Sequence, residues 1–238
     1  MTDSPLVPQV SARSSVLSLL LALHPPTLTA REIVTAMDFF GVTESTTRVA
    51  LTRMVAGGDL VRHDASYTLS ERLLQRQRDV EPPAQRRWRG TWELAVVTTT
   101  GRSAADRTAL RTEMQRQRVA ELREGVWTRP ANLKRTWPQR LLHVSTCFEA
   151  RPTEDSTDLA ARLWDLDGWA ARGHALLEAV DHVTDEQSRF RTMVAAVRHL
   201  QSDPLLPDEL LPVDWPAAAL AARYDDYRRW VGTLRVNH

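Results

Sequence analysis

One side of a predicted helix between Thr43 and Ala56 combines the side-chain types that contact DNA. A helical period of about 100° per residue separates the positions expected to be buried from the opposite side, which consists of Ser45, Arg48, Val49 and Thr52. An arginine matches the acceptor edge of guanine in the major groove, and hydroxyl groups reach phosphates or bases. An ordinary solvated helix has a similar composition, so this side favours DNA contact only together with the elements around it.

Further cationic side chains in the first 80 residues are candidates for contact with DNA phosphates. Arg53 lies at the flank of the same helix, and the other candidates are Arg13, Arg31, Arg62 and His63. Residues 1–80 contain 8 arginines and 8 acidic residues, a net charge of 0, whereas affinity for DNA usually depends on phosphate neutralisation. We therefore expect two copies of the chain to bind DNA together, because a homodimer doubles the number of contacts.

The elements around this helix predict a winged helix-turn-helix over residues 1–80. They are helices at 11–23, 29–40 and 43–56, strands at 60–62 and 67–69, and a further helix after Ser70. Thr29 and Glu32 have the spacing of a capping box, and Gly41 is suited to the turn between the second and third helices. Three helices followed by a hairpin is the order of a winged helix-turn-helix, in which the third helix contacts the major groove.

Two further domains are predicted behind this one. Residues 81–150 give strands at 91–100, 119–122, 126–129 and 141–148 with a helix at 103–117, an order typical of a ferredoxin-like domain. Residues 151–238 give helices at 158–165, 168–182, 185–201 and 217–235, with a proline-rich arm at 203–216. The predicted fold class is therefore α+β, with a winged helix, a ferredoxin-like middle domain and a helical C-terminal domain.

Sequence composition argues against several other classes of protein. The 238 residues are 42% hydrophobic and include one cysteine, which is typical of a globular protein without a disulfide framework. No apolar run approaches the ~20 residues of a membrane span, and the first residues lack the pattern of a signal peptide. We therefore expect a cytoplasmic protein with no membrane partner.

Motifs for catalysis, cofactors or metals are not evident in the chain. The sequence has no glycine-rich phosphate loop, no nucleophile elbow and no pair of histidines at metal-ligand spacing. We accordingly expect no enzymatic activity, no cofactor and no metal. The alternative is a metal-dependent nuclease built on the middle domain, but its first strand ends in Thr98-Thr99-Thr100-Gly101, without a carboxylate for a hard cation.

Basic residues are concentrated in the middle of the chain. Residues 81–140 contain 13 Lys and Arg against 6 Asp and Glu, a net charge of +7, and residues 141–238 contain 10 against 16, a net charge of −6. Arg107 and Arg111 are four residues apart and share a helix face, and Trp127 follows on a predicted strand. Arginine forks with an aromatic ring suit an acyl-CoA-type effector. The alternatives are packing against the acidic C-terminal domain and contact with flanking DNA phosphates.

Several blocks of the sequence resemble the PaaX-type transcriptional repressors, which regulate phenylacetate and related aromatic catabolism. The matching blocks are Ser11-Ala-Arg-Ser14, Gly41-Val-Thr-Glu44 with Arg48, Ala50-Leu-Thr-Arg-Met54, Trp88-Arg-Gly-Thr-Trp92-Glu-Leu, Arg107 with Leu110-Arg111, Gly125-Val-Trp-Thr-Arg-Pro130, Leu159-Ala-Ala-Arg-Leu-Trp-Asp-Leu166 and the arm from Asp203 to Pro216. They cover about the whole chain in the family's order.

This resemblance implies a three-domain, homodimeric repressor that binds a palindromic operator in double-stranded DNA. For the best-known branch of the family it also implies release from DNA by an aryl-acetyl-CoA thioester. A second alternative from the residues remains open. Because residues 1–80 have no net positive charge, the winged helix can instead be a surface for docking another protein.

Overall fold

The structure is a computed structural model that describes residues 6–7, 10–23, 25–78 and 83–234. The chain folds into two compact units. The head unit comprises Met1–Val80, Ala171–Ser202 and Pro216–His238, and the sheet unit comprises Glu81–Ala170 and Asp203–Trp215. Residues of the predicted C-terminal domain therefore occur in both units.

Apart from β1, the elements follow the predicted order along the described part of the chain. The helices are α1 Ala12–Leu21, α2 Ala30–Phe39, α3 Glu44–Ala56, α4 Glu71–Arg78, α5 Ala104–Arg116, α6 Gln139–Leu142, α7 Ser156–Leu163, α8 Leu166–His182, α9 Glu186–Leu200 and α10 Ala217–Leu234. The strands are β1 Thr27–Thr29, β2 Leu60–His63, β3 Ser66–Leu69, β4 Trp92–Val97, β5 Ala120–Arg123, β6 Val126–Pro130 and β7 Ser145–Ala150. Helices with two small antiparallel sheets confirm the α+β class.

Side-chain caps fix where the helices of the head unit begin. The Thr29 backbone N–H donates to Glu32 Oε2 at 2.6 Å, and the Glu32 N–H donates to Thr29 Oγ1 at 3.2 Å, so the predicted capping box is present. Thr43 caps α3 by accepting from the Thr46 backbone N–H. Gly41 has a φ of +72°, which leaves it in the left-handed region that favours glycine.

The sheet of the head unit has three antiparallel strands in the order β1-β3-β2. The hairpin of β2 and β3 was predicted, but β1 was not, because three residues are too short to show a strand period. β1 places the buried Leu28 opposite Tyr67 of β3, and the Thr27 and Thr68 hydroxyl oxygens lie 2.9 Å apart. β1 thus joins the segment after α1 to the hairpin of β2 and β3.

Helices from the C-terminal part of the chain complete the core of the head unit. Phe190 of α9 stacks on Phe40, which follows α2, with ring centroids 4.0 Å apart. Further buried residues from α9 and α10 in the same cluster are Met193, Val194, Tyr227 and Val231. The core under α1, α2 and α3 therefore contains side chains that lie far away in the sequence.

The sheet unit has four antiparallel strands in the order β5-β6-β4-β7, so the first and third strands of the unit are central. α5 covers one face through Met114, which packs with Ala95 and Trp127. The predicted strand at 141–148 begins only at Ser145, because the short helix α6 follows Pro138 and Leu141 is buried on that helix.

Arg129 of β6 attaches the proline-rich arm to the sheet unit. Its side chain is fully buried and donates to the backbone oxygens of Pro130 (3.1 Å), Arg118 (3.1 Å), Pro204 (3.3 Å) and Leu205 (2.9 Å), and to Asn132 Oδ1 (2.9 Å). Burial lowers the pKa of Arg129 to about 9, so the guanidinium stays charged at neutral pH. Arg118 also donates to the Asp203 backbone oxygen.

None of the helices in the described part of the chain has the length and apolar character needed to cross a membrane.

Candidate nucleic-acid interface and a basic cavity

α3 has a buried side and an exposed side, as its periodicity predicts. Its buried residues are Thr47, Ala50, Leu51 and Met54. The exposed residues include all five of the predicted contact residues on this helix, namely Ser45, Arg48, Val49, Thr52 and Arg53. Val49 is 50% exposed although it is apolar. A methyl-bearing side chain among hydroxyls and arginines is suited to contact with base edges.

Arg48 is held in an ion pair within α3. Its Nε and Nη2 atoms each lie 2.7 Å from Glu44 Oε1, one helical turn earlier. Both side chains are more than half exposed, so the pair contributes little to stability and can be exchanged for another partner. The sequence analysis assigned Arg48 to the interface but did not include Glu44 there.

A groove between the start of α1 and α3 brings four predicted residues together. Its volume is about 510 Å³, and Arg13, Ser45, Val49 and Arg53 are among the residues that line it. Arg13 Nε lies 2.8 Å from Asp59 Oδ2, and this hydrogen bond raises the pKa of Arg13. The other oxygen of the buried Asp59 lies 3.3 Å from Arg72 Nη2, so one carboxylate anchors two arginines at the start of the hairpin.

The other predicted contact residues lie on the hairpin and on α2. Arg62 Nε donates to the Asp64 backbone oxygen at 2.9 Å, and its guanidinium lies 5.9 Å from the centre of the Tyr67 ring. His63 is exposed at the end of β2. Arg31 of α2 lines a different cavity, of about 380 Å³, and is not part of the groove between α1 and α3.

A second concave site, in the sheet unit, brings Arg107, Arg111 and Trp127 together. This basic cavity has a volume of about 1050 Å³, and Arg102 and Arg123 also line it. Arg111 lies 5.5 Å from the centre of the Trp127 ring, and Arg107 Nη1 donates to the Arg102 backbone oxygen at 2.7 Å. An arginine fork beside an aromatic ring can bind an anion that has an apolar part.

Glu121 and Glu124 also line the basic cavity, and the sequence analysis did not predict either of them there. Arg111 Nη2 lies 2.6 Å from Glu121 Oε2. Glu124 lies in the turn between β5 and β6. Arg111 lies on α5 and Glu121 lies on β5, so the fold of the sheet unit, and not the local sequence, brings them together. Two other arginines of the basic middle segment have different contacts, because Arg116 pairs with Glu113 and Arg118 donates to the arm.

Among the residues that the structure describes, no group of three or more His, Cys, Asp or Glu side chains is placed to hold a metal ion. After the end of β4, the first acidic residue along the chain is Asp106, which accepts hydrogen bonds from the hydroxyl and backbone N–H groups of Ser103. These hydrogen bonds lower the pKa of Asp106. The carboxylate thus caps α5.

Comparison with known protein families gives three consecutive matches along the chain. They are the PaaX-like protein model over residues 11–73, the PaaX protein central Cas2-like domain over residues 85–158 and the PaaX-like protein C-terminal domain over residues 164–234. A comparison with curated proteins finds no significant match.

The chain is also similar to a solved structure, that of the uncharacterized protein Rv0674 from Mycobacterium tuberculosis. The two sequences are 47% identical, the match covers 95% of this chain and 98% of that chain, and the TM-score is 0.85. The three family models together, and the solved structure by itself, each match nearly the full length of this chain. The chain therefore belongs to the PaaX-like family, which indicates a transcriptional regulator at the level of the family.

Proposed function

We propose that the chain is a DNA-binding transcriptional repressor of the cytoplasm that binds a palindromic operator as a homodimer. The head unit then acts as a winged helix-turn-helix, with α3 in the major groove and the hairpin of β2 and β3 as the wing. The observation that supports this most is the exposed side of α3, where Ser45, Val49 and Arg53 adjoin Arg13 in one groove. The strand order of the sheet unit likewise supports a ferredoxin-like middle domain.

Arg48→Ala tests whether α3 contacts bases. If Arg48 binds a guanine edge, the substitution should cost about 1–3 kcal/mol of operator affinity and relax specificity at that base pair. The ion pair with Glu44 does not prevent this contact, because both side chains are exposed. The measurement is fluorescence anisotropy with the chain's own upstream DNA at several salt concentrations.

Arg87→Ala is the matched control, since Arg87 is an exposed arginine of the sheet unit. It removes the same charge without changing α3, and operator specificity should stay as in the parent. Equal affinity and specificity for Arg48→Ala and the parent would remove Arg48 from the interface.

Two alternatives are decided by separate measurements on the purified chain. A nuclease would cleave DNA or RNA in magnesium or manganese, and cleavage that follows the protein through repurification would contradict the regulator proposal. A protein-docking module would show no salt-dependent DNA binding, since such binding depends on the release of counterions from phosphates. We propose that the chain binds DNA and has no enzymatic activity.

We further propose that the basic cavity binds an acyl-CoA-type effector that releases the chain from its operator. Arg107 and Arg111 are positioned to contact phosphates, and Trp127 offers an apolar surface to the acyl group. Arg111 must then exchange its contact with Glu121 for the ligand. The Arg111 side chain is 57% exposed and can turn to a ligand, whereas Glu121 is 18% exposed and keeps the hydrogen bond from the Gly125 backbone N–H.

The double variant Arg107→Ala, Arg111→Ala should lose at least tenfold in affinity for aryl-CoA thioesters, because each charge-assisted contact contributes roughly 1.5–3 kcal/mol. Isothermal titration calorimetry of DNA-free protein with aryl-CoA and alkyl-CoA thioesters measures this loss. Arg87→Ala, Arg89→Ala removes the same charge from exposed positions and serves as the control. Parent-like binding by the first variant would place the effector elsewhere, whereas a shallower salt dependence of DNA binding would assign these arginines to flanking DNA.

A further inference from the structure

The exposed side of α3 includes a carboxylate among its polar and cationic side chains. Glu44 lies in the first turn of α3, and its side chain is 59% exposed. It is four residues before Arg48 and eight before Thr52, so the three side chains form one row along the helix. In this helix, all of which the structure describes, Glu44 is the acidic residue.

A carboxylate at this place is unfavourable for DNA binding in general. Phosphates repel it, and the cost grows as the helix approaches the DNA. The cost is removed only where the carboxylate meets a hydrogen-bond donor. In the major groove the amino group of cytosine is such a donor, and glutamate accepts from it.

The ion pair with Arg48 leaves Glu44 suited to this contact. Both N–H groups of Arg48 that contact the carboxylate do so at Oε1, each at 2.7 Å. Among the described residues no donor is placed on Oε2, which is therefore the oxygen for a further hydrogen bond. The pair thus presents Glu44 Oε2 as a hydrogen-bond acceptor beside the N–H groups of Arg48 that do not contact Glu44.

We propose that Glu44 is a specificity-determining residue of the interface, which accepts a hydrogen bond from a cytosine amino group in the operator and disfavours every site without one. This inference rests on the proposed function, in which α3 enters the major groove. Arg48 and Glu44 then contact guanine and cytosine edges together. The main effect of Glu44 is on the ratio of operator affinity to nonspecific affinity, and its effect on operator affinity alone is smaller.

Glu44→Gln tests this proposal because glutamine has the same shape without the charge. Its amide offers a donor as well as an acceptor, so it accommodates other bases. We expect nonspecific affinity to rise about threefold to tenfold and the ratio of operator to nonspecific affinity to fall about tenfold. The measurement is anisotropy with the operator and with a scrambled duplex, followed by a panel in which each C·G pair is replaced.

Glu71→Gln is the matched control, because Glu71 is an exposed acidic residue in the first turn of α4 and its loss changes net charge equally. Its ratio of affinities should stay within about twofold of the parent's. The effect of Glu44→Gln should persist in an Arg48→Ala background, since Glu44 acts on DNA directly. Its disappearance there would show that Glu44 only positions Arg48, and would overturn the direct contact.

The outcomes also separate this inference from the proposed function. A parent chain without salt-dependent DNA binding would overturn both. A parent that binds its operator, with an affinity ratio that Glu44→Gln leaves unchanged, would overturn the role of Glu44 alone. A ratio that falls equally in Glu44→Gln and Glu71→Gln would attribute the effect to overall charge and likewise overturn it.

Discussion

Replacing Arg129 by methionine is expected to lower the free energy of unfolding by about 3–5 kcal/mol, because a buried charge with satisfied partners leaves those partners unsatisfied when it is removed. Arg129 is fully buried and is hydrogen-bonded to four backbone oxygens and to Asn132 Oδ1. Methionine fills much of the volume but donates no hydrogen bond. The carbonyls of Pro204 and Leu205 would then lose their link to β6.

Urea denaturation of the full chain, followed by tryptophan fluorescence, measures this loss. Trp215 is a suitable probe, since its Nε1 atom lies 3.3 Å from Asp203 Oδ2 at the start of the arm. The control is Arg87→Met, at an exposed position of the same unit, which should change stability by about 0.5 kcal/mol or less. A loss below about 1 kcal/mol for Arg129→Met would show that the arm is held by other contacts.

Phe190→Ala is expected to have an effect of similar size on the head unit. Phe190 is 2% exposed and stacks on Phe40, and Phe to Ala substitutions in cores cost about 3–5 kcal/mol. Because this contact joins α9 to the helix that precedes α3, we also expect weaker operator binding at temperatures where the variant begins to unfold. Thermal unfolding by circular dichroism and DNA binding at 25 and 40 °C measure the two effects.

Phe148→Ala is the control for this substitution, because Phe148 is 52% exposed on β7. The same truncation should cost well under half as much there, since little apolar surface is removed from a buried site. A fragment ending at Val80 provides a second check, because it lacks α9 and α10 and should unfold more easily than the full chain. A fragment as stable as the full chain would mean that the contacts of Phe190 contribute little to the head unit.

Local residue chemistry accounts for the features that the sequence predicted well. Thr29 with Glu32 and Thr43 are hydrogen-bond caps whose partners lie within three residues, so their helix starts follow from the sequence alone. The exposed side of α3 follows in the same way from the helical period. The prediction that the last strand begins at Leu141 was wrong for a similar local reason. An apolar residue after Pro138 suits a short helix as well as a strand, and the observed strand begins at Ser145.

The candidate sites depended on both local pattern and long-range contact. Arg107, Arg111 and Trp127 were predicted as one group, and they do line one cavity. The ion pair of Arg111 with Glu121 was not predicted, because it depends on how α5 and β5 are placed in the folded unit. Arg31, in contrast, was predicted with Arg13 and Arg53 but does not lie with them. It has the right charge for DNA contact, but the fold places it in a different cavity from Arg13 and Arg53.

The sequence by itself determined the order of the elements apart from β1, the α+β class, the exposed residues of α3 and the family resemblance, since each depends on residues close together in the chain. Only the tertiary structure decided that Phe190 completes the core beneath Phe40, that Asp59 anchors Arg13 and Arg72, and that Arg129 holds the arm. These contacts join residues separated by 13 to 150 positions, and hydrophobic or charged character alone does not specify a partner at such distances. Leu205 is an example, because its φ of 52° lies in a region that residues other than glycine disfavour, and its carbonyl accepts a hydrogen bond from Arg129, 76 positions away in the sequence.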